Sequence, residues 1–128
     1  MRFACLGFFD EAQWNTLPPE AQERMFQECL AYDAVLKKNG HYVGGEALQS
    51  ANQAITVRMK NGKAVATDGP YAETKEYLGG ILMLEARDMK HAVELMLKHP
   101  GVAVGPFEIR AIDAEFTAKI SEIMEAAE

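Results

Sequence analysis

The chain has 128 residues, 48% of them hydrophobic and 25% charged, which is the size and make-up of one globular domain spanning 1–128. Thirteen basic residues against nineteen acidic ones leave a formal charge of −6. That balance argues against a nucleic-acid binder, which needs a basic face, and against an anionic membrane surface as partner. No apolar run approaches the roughly 18–20 residues of a membrane span, and the start turns acidic too soon for a secretory signal. Cys5 and Cys29 form no CxxC motif and have no histidine at metal spacing. The expectation is a cytoplasmic protein with two reduced thiols, no metal and no cofactor.

Residues 2–9 form a short apolar run, ended by Asp10-Glu11, that suits a buried strand. Leu17-Pro18-Pro19-Glu20 opens a helix predicted over 18–39, because proline lacks only an N–H that the first turn leaves unbonded. Met25, Phe26, Cys29, Leu30, Val35 and Leu36 mark its apolar stripe, Lys37-Lys38 suit its negative end and Gly40 stops it. His41-Tyr42-Val43 reads as a short strand broken by Gly44-Gly45, with a loop over 46–52. Residues 55–59 alternate apolar and polar, Asn61-Gly62 is a hairpin turn, and 63–67 return. Asp68-Gly69-Pro70 is a hard break before the apolar strand 81–84. Asp88 caps a helix with Met89, Ala92, Val93, Met96 and Leu97 on one face, closed by His99-Pro100-Gly101. A strand over 107–112 follows, and Asp113 caps a last helix within 113–128 whose stripe is Phe116, Ile120, Ile123, Met124 and Ala127.

Without the hairpin and the last helix this is the β-α-β-β-α-β order of an α+β ferredoxin-like fold. Two helices cover one face of the sheet, and the strand at 81–84 has no polar alternation to offer water on the other. The second face is therefore expected to pack on a second subunit, as a homodimer with sheets face to face.

Two loops concentrate the polar chemistry. In 67–77, Gly69 and Pro70 shape the turn that aims Asp68, a candidate general base, while Tyr71, Glu73 and Lys75 are candidates to hold a polar substrate. In 40–48, His41 titrates near neutral pH and Glu46 is a carboxylate among small residues. In an unbroken strand these two face opposite ways, and Gly44-Gly45 leaves their meeting open. Arg110 alternates with apolar neighbours and is a candidate to pair with a carboxylate across a dimer. The blander readings are a turn-stabilising Asp68, a surface His41 and a Glu46 paired with Arg58 or Lys75. His91 reads as exposed, His99 as a helix terminus bonded to the last carbonyls, and Cys29 as core. No phosphate loop, dinucleotide fingerprint, nucleophile elbow or zinc-helix motif is present.

The run from Thr67 to Gly80, with Asp68-Gly69-Pro70-Tyr71 at its head, resembles the signature of the DGPF family within the YCII-related proteins. The stretches 40–49 and 98–112 are similar as well, up to about Ile112. The resemblance implies a ferredoxin-like subunit, a dimeric α+β barrel and a largely undefined activity. Some such relatives accompany extracytoplasmic-function sigma factors, so a sigma factor is a possible partner and a non-catalytic regulatory role the alternative. Enzymes among the YCII-related proteins act on small, often aromatic molecules through a histidine on the first helix and an aspartate before a proline. Those positions fall near Cys29 and at His99-Pro100 here and differ in residue type. The expectation is a small polar ligand, with cofactor-independent proton abstraction or elimination by Asp68, His41 and Glu46.

Overall fold

The computed structural model describes residues 1–127. Four strands, β1 (Arg2–Phe9), β2 (Tyr42–Ala47), β5 (Tyr77–Glu85) and β6 (Phe107–Ala111), form one sheet in the order β2-β5-β1-β6. Every neighbouring pair is antiparallel, so this is the mixed α+β, ferredoxin-like arrangement. The strands β3 (Ile55–Lys60) and β4 (Lys63–Asp68) form a separate hairpin. Its turn is Asn61-Gly62, both at positive φ, as a two-residue turn of this type requires.

Four helices accompany the strands: α1 (Glu11–Trp14), α2 (Pro19–Lys38), α3 (Met89–Leu97) and α4 (Ala114–Ala126). Pro19 opens α2, while the side chains of Asp88 and Asp113 accept backbone N–H bonds at the starts of α3 and α4. Phe3, Cys5, Leu82 and Leu84 on the sheet meet Leu36 of α2 and Ala92 and Met96 of α3 in the buried core.

Three expectations are corrected. β2 does not break at the glycine pair; it continues to Ala47 and absorbs an irregularity at Val43 between the pairs Tyr42↔Leu84 and Gly44↔Met83. β5 starts at Tyr77, so Gly79 and Gly80 lie in the strand. The inner stripe of α2 is Met25, Cys29, Tyr32, Asp33 and Leu36, all at least half-buried, whereas Phe26, Leu30 and Val35 are exposed.

Pairing register sets the two faces of the sheet, because residues directly opposite share a face. The rows Tyr42–Leu84–Phe3–Ala111, Gly45–Leu82–Cys5–Ile109 and Ala47–Gly80–Gly7–Phe107 face α2 and α3. The alternate rows, Glu46–Ile81–Leu6–Glu108 and Gly44–Met83–Ala4–Arg110, make the outer face. Ala4, Leu6, Ile81 and Met83 there are only half-buried.

Candidate functional site

The inner face changes character along its length. At one end, Phe3, Leu84 and Leu36 fill the space between α2 and the sheet. At the other, Gly7, Gly80 and Gly45 present backbone alone, and a cavity of about 570 Å³ opens above them. Aromatic residues from β1, α1, α2, β2 and β6 line it: Phe9, Trp14, Phe26, Tyr42 and Phe107, with Phe8 at its border. The floor has little room for side chains. A Cβ on Gly7 would come 3.0 Å from the Phe107 ring, and one on Gly45 would come 3.1 Å from the Tyr42 hydroxyl.

Asp33 and His99 meet in this cavity. Asp33 lies one helical turn beyond Cys29 on the inner stripe of α2, so the helix directs it at the sheet. His99 precedes Pro100, whose ring disfavours helical backbone at the residue before it. It accordingly sits at φ −72°, ψ 126° and caps the 3₁₀ turn Pro100–Ala103. The ring is 6% exposed, with Tyr32 edge-on and Phe107 tilted against it.

Both ring nitrogens are engaged. The Gly101 N–H donates to His99 Nδ1 at 3.0 Å, and His99 Nε2 lies 2.9 Å from Asp33 Oδ1. Because Nδ1 accepts, the proton of the neutral ring is assigned to Nε2, which donates to Asp33. Asp33 is thus a carboxylate oriented by a fixed donor, with Oδ2 left for a ligand. The Tyr32 hydroxyl, bonded to the Leu95 carbonyl at 2.5 Å, is pushed above the usual phenol range by burial and then by Asp33. Cys29, also in the cavity wall, is held as a thiol: burial raises its pKa first, and the charges of Asp33 and Glu28 add to that.

The residues singled out from the sequence lie elsewhere, for the most part. His41 sits beside the end of β5, its Nδ1 2.9 Å from the Glu85 carbonyl and its ring edge-on to His91. Glu46 pairs with Ile81, and its backbone borders the cavity, but register puts its side chain on the outer face. Asp68 ends the separate hairpin opposite Ile55 and is exposed. The structure therefore does not bring Asp68, His41 and Glu46 together. Glu73 and Lys75 are exposed in the loop before β5, and Arg110 is exposed on the outer face.

Tyr71 is 81% exposed, and its carbonyl accepts from Arg58 at 2.9 Å. Tyr71 does border a second hollow, of about 640 Å³, between the 70–77 loop and residues 48–56, but Asp68, Glu73 and Lys75 do not. His99 does follow the end of α3, but its ring bonds Asp33 and the Gly101 N–H and not the last helix carbonyls. The described residues contain no group of three or more metal-ligating side chains. Nor is any described helix long and apolar enough to cross a membrane.

Comparison with known proteins adds three findings. A model of the YCII-related domain matches residues 1–116. An uncharacterized protein of Rhizobium meliloti (strain 1021) is 26% identical over 114 residues, which cover 88% of this chain and 92% of that protein. Among solved structures, 5-chloro-2-hydroxyhydroquinone dehydrochlorinase (TftG) from Burkholderia phenoliruptrix AC1100, in complex with 2,5-dihydroxybenzoquinone, is similar with a TM-score of 0.47. Sequence identity to it is 16%, over 88% of this chain and 94% of that one.

Proposed function

The chain belongs to the YCII-related family, and from that footing we propose that it binds a small polar molecule in the cavity between α2 and the sheet. The observation that carries this reading is the Asp33–His99 pair, a 2.9 Å contact beside a hollow floored by glycine. A strand glycine forgoes packing and β-propensity; Phe107 and Tyr42 close on Gly7 and Gly45, whereas at Gly80 nothing but the Glu46 carbonyl oxygen, at 3.4 Å, would meet a side chain. A pure docking scaffold needs no such hollow, which favours ligand binding over the role of a sigma-factor partner.

The reaction the pair suits is proton abstraction or elimination without a cofactor. Asp33 takes a proton from an acidic C–H or O–H of the ligand. The electron pair left behind moves into an adjacent carbonyl or expels a leaving group. His99 keeps the carboxylate in place through Nε2–H. In place of Asp68, His41 and Glu46, the proposed catalytic residue is Asp33, with His99 as its positioning residue. The test is solvent-deuterium incorporation into a panel of small carbonyl compounds, followed by NMR. Asp33→Asn should slow any exchange roughly 10²–10⁴-fold. Exchange unchanged in that variant removes Asp33 as the base.

The same reading includes a cytoplasmic homodimer. One hairpin face (Ile55, Val57 and Met59, 65–70% exposed) and the stripe of α4 (Phe116, Ile120, Ile123, Met124, 45–65% exposed) are apolar and open, and the outer sheet face carries half-buried Ala4, Leu6, Ile81 and Met83 between Glu46, Glu108 and Arg110. A two-stranded hairpin is marginal without a cover. A second copy packed on these surfaces supplies one. Light scattering should give the mass of two 14.2 kDa chains, and the mass of one chain rejects the dimer.

A further inference from the structure

We infer that the ligand of this cavity is a planar organic cation, of the amidinium or aromatic-ammonium class, and not a phosphate or carboxylate. This deepens the reading of the cavity as a ligand site and rests on it.

The argument is electrostatic. Asp33 is the acidic side chain that α2 directs into the hollow, with its side chain 26% exposed. Its contact, His99, accepts the Gly101 N–H at Nδ1 and faces Asp33 through Nε2. Among the described residues, no lysine or arginine lines the cavity. The negative potential is also felt inside: after burial, Asp33 and Glu28 both raise the pKa of Cys29. A carboxylate in largely apolar surroundings, with no lysine or arginine beside it, is stabilised by a ligand that brings a positive charge.

The walls favour the same class. Phe9, Phe26, Tyr42, Trp14 and Phe107 present aromatic surface around the hollow. Aromatic faces attract cations, most strongly where water is excluded, and recognition of organic cations uses this arrangement. At Gly80 a Cβ would meet only the Glu46 carbonyl oxygen, at 3.4 Å, so the sheet there leaves room for a planar body. An anion would meet the Asp33 carboxylate with no guanidinium or ammonium to receive it.

Three probes of nearly one shape separate charge from fit: benzamidinium, benzamide and benzoate. Titration calorimetry on the full chain at low salt should show benzamidinium binding roughly tenfold or more tighter than benzamide, with benzoate weakest. Asp33→Asn should erase the benzamidinium advantage and leave benzamide within about twofold, whereas Asp33→Glu should keep part of it. Gly80→Val fills the floor and should abolish binding of all three. Cys29→Phe does so from the helix side, so one misfolded variant does not decide the matter.

Benzamide matching benzamidinium, with both lost in the two filled variants, overturns the charge inference and leaves the cavity reading standing. Binding that persists in both filled variants overturns the cavity reading as well. Benzoate binding best, or benzamidinium failing to bind at millimolar concentration, overturns the inference outright.

Discussion

The two ends of the layer between α2 and the sheet are built from the same elements and to opposite effect. At the end holding Phe3, Leu84 and Leu36, side chains at most 1% exposed close the gap. Two registers along, the same strands present Gly7 and Gly80, and α2 offers Cys29 and Asp33 instead of leucine. One end spends its side chains on cohesion, and the other gives that up for a hollow with a fixed carboxylate. The comparison shows that the cavity is written into the strand register and is not a gap left by loose packing.

Substitutions break or sharpen that contrast, and the largest effect is expected at the packed end. Leu36→Ala should destabilise the fold by about 2–5 kcal/mol in urea unfolding, through lost burial and the void it leaves. An effect below about 1 kcal/mol would mean that the packed end is not packed. His99→Ala comes next. It leaves the Gly101 N–H and Asp33 without their partner and should cost about 1–3 kcal/mol, with Asp33 no longer oriented. Gly80→Val should shift stability by only about 1 kcal/mol, in the stabilising direction if the valine fits, while removing ligand binding. A large loss in that variant would show the glycine to be needed for the fold and not for the hollow.

The smallest effects concern the thiols. Cys29 should react with the neutral reagent iodoacetamide slowly near pH 8 and faster as the pH rises above the ordinary thiol range. Asp33→Asn removes a charge that holds the proton on, so the rate at fixed pH should rise in that variant. Cys5 is pushed up to about 11 by burial. Its folded-state pKa exceeds the unfolded one, so its contribution is intact below the ordinary thiol pKa. That contribution falls toward pH 11, as the unfolded chain releases a proton that the native one keeps. Urea midpoints measured across that window should decline in the wild type and decline less in Cys5→Ala.

Much of the fold was legible because local rules sufficed. Proline opened α2, Asn61-Gly62 turned the hairpin, and Asp88 and Asp113 capped their helices as their side-chain chemistry dictates. The continuation of β2 through Gly44-Gly45 was not legible, since pairing with β5 overrides the low strand propensity of glycine. The site was harder still. Asp68, His41 and Glu46 stand out by residue type, but they lie on a separate hairpin, at a strand end and on the outer face.

The Asp33–His99 pair did leave a signal. Asp33 follows Cys29 by one helical turn and precedes Leu36 by three residues, which places a carboxylate on the stripe that packs. The stripe drawn through Leu30 and Val35 hid it, because amphipathic spacing tolerates a rotated face and only the tertiary packing fixes the angle. His99 was masked by its place at a helix end. The proline after it, by forcing extended backbone, is what turns the ring inward.

The most direct test of the central claim is an amide ¹H–¹⁵N shift map during titration with a small-molecule fragment library. Binding in the hollow predicts that hits move the amides of Gly7, Gly45, Gly80 and Gly101 together and that Gly80→Val removes the response. Shifts confined to the loop around Asp68 and Tyr71, with the four glycines unmoved, would contradict it.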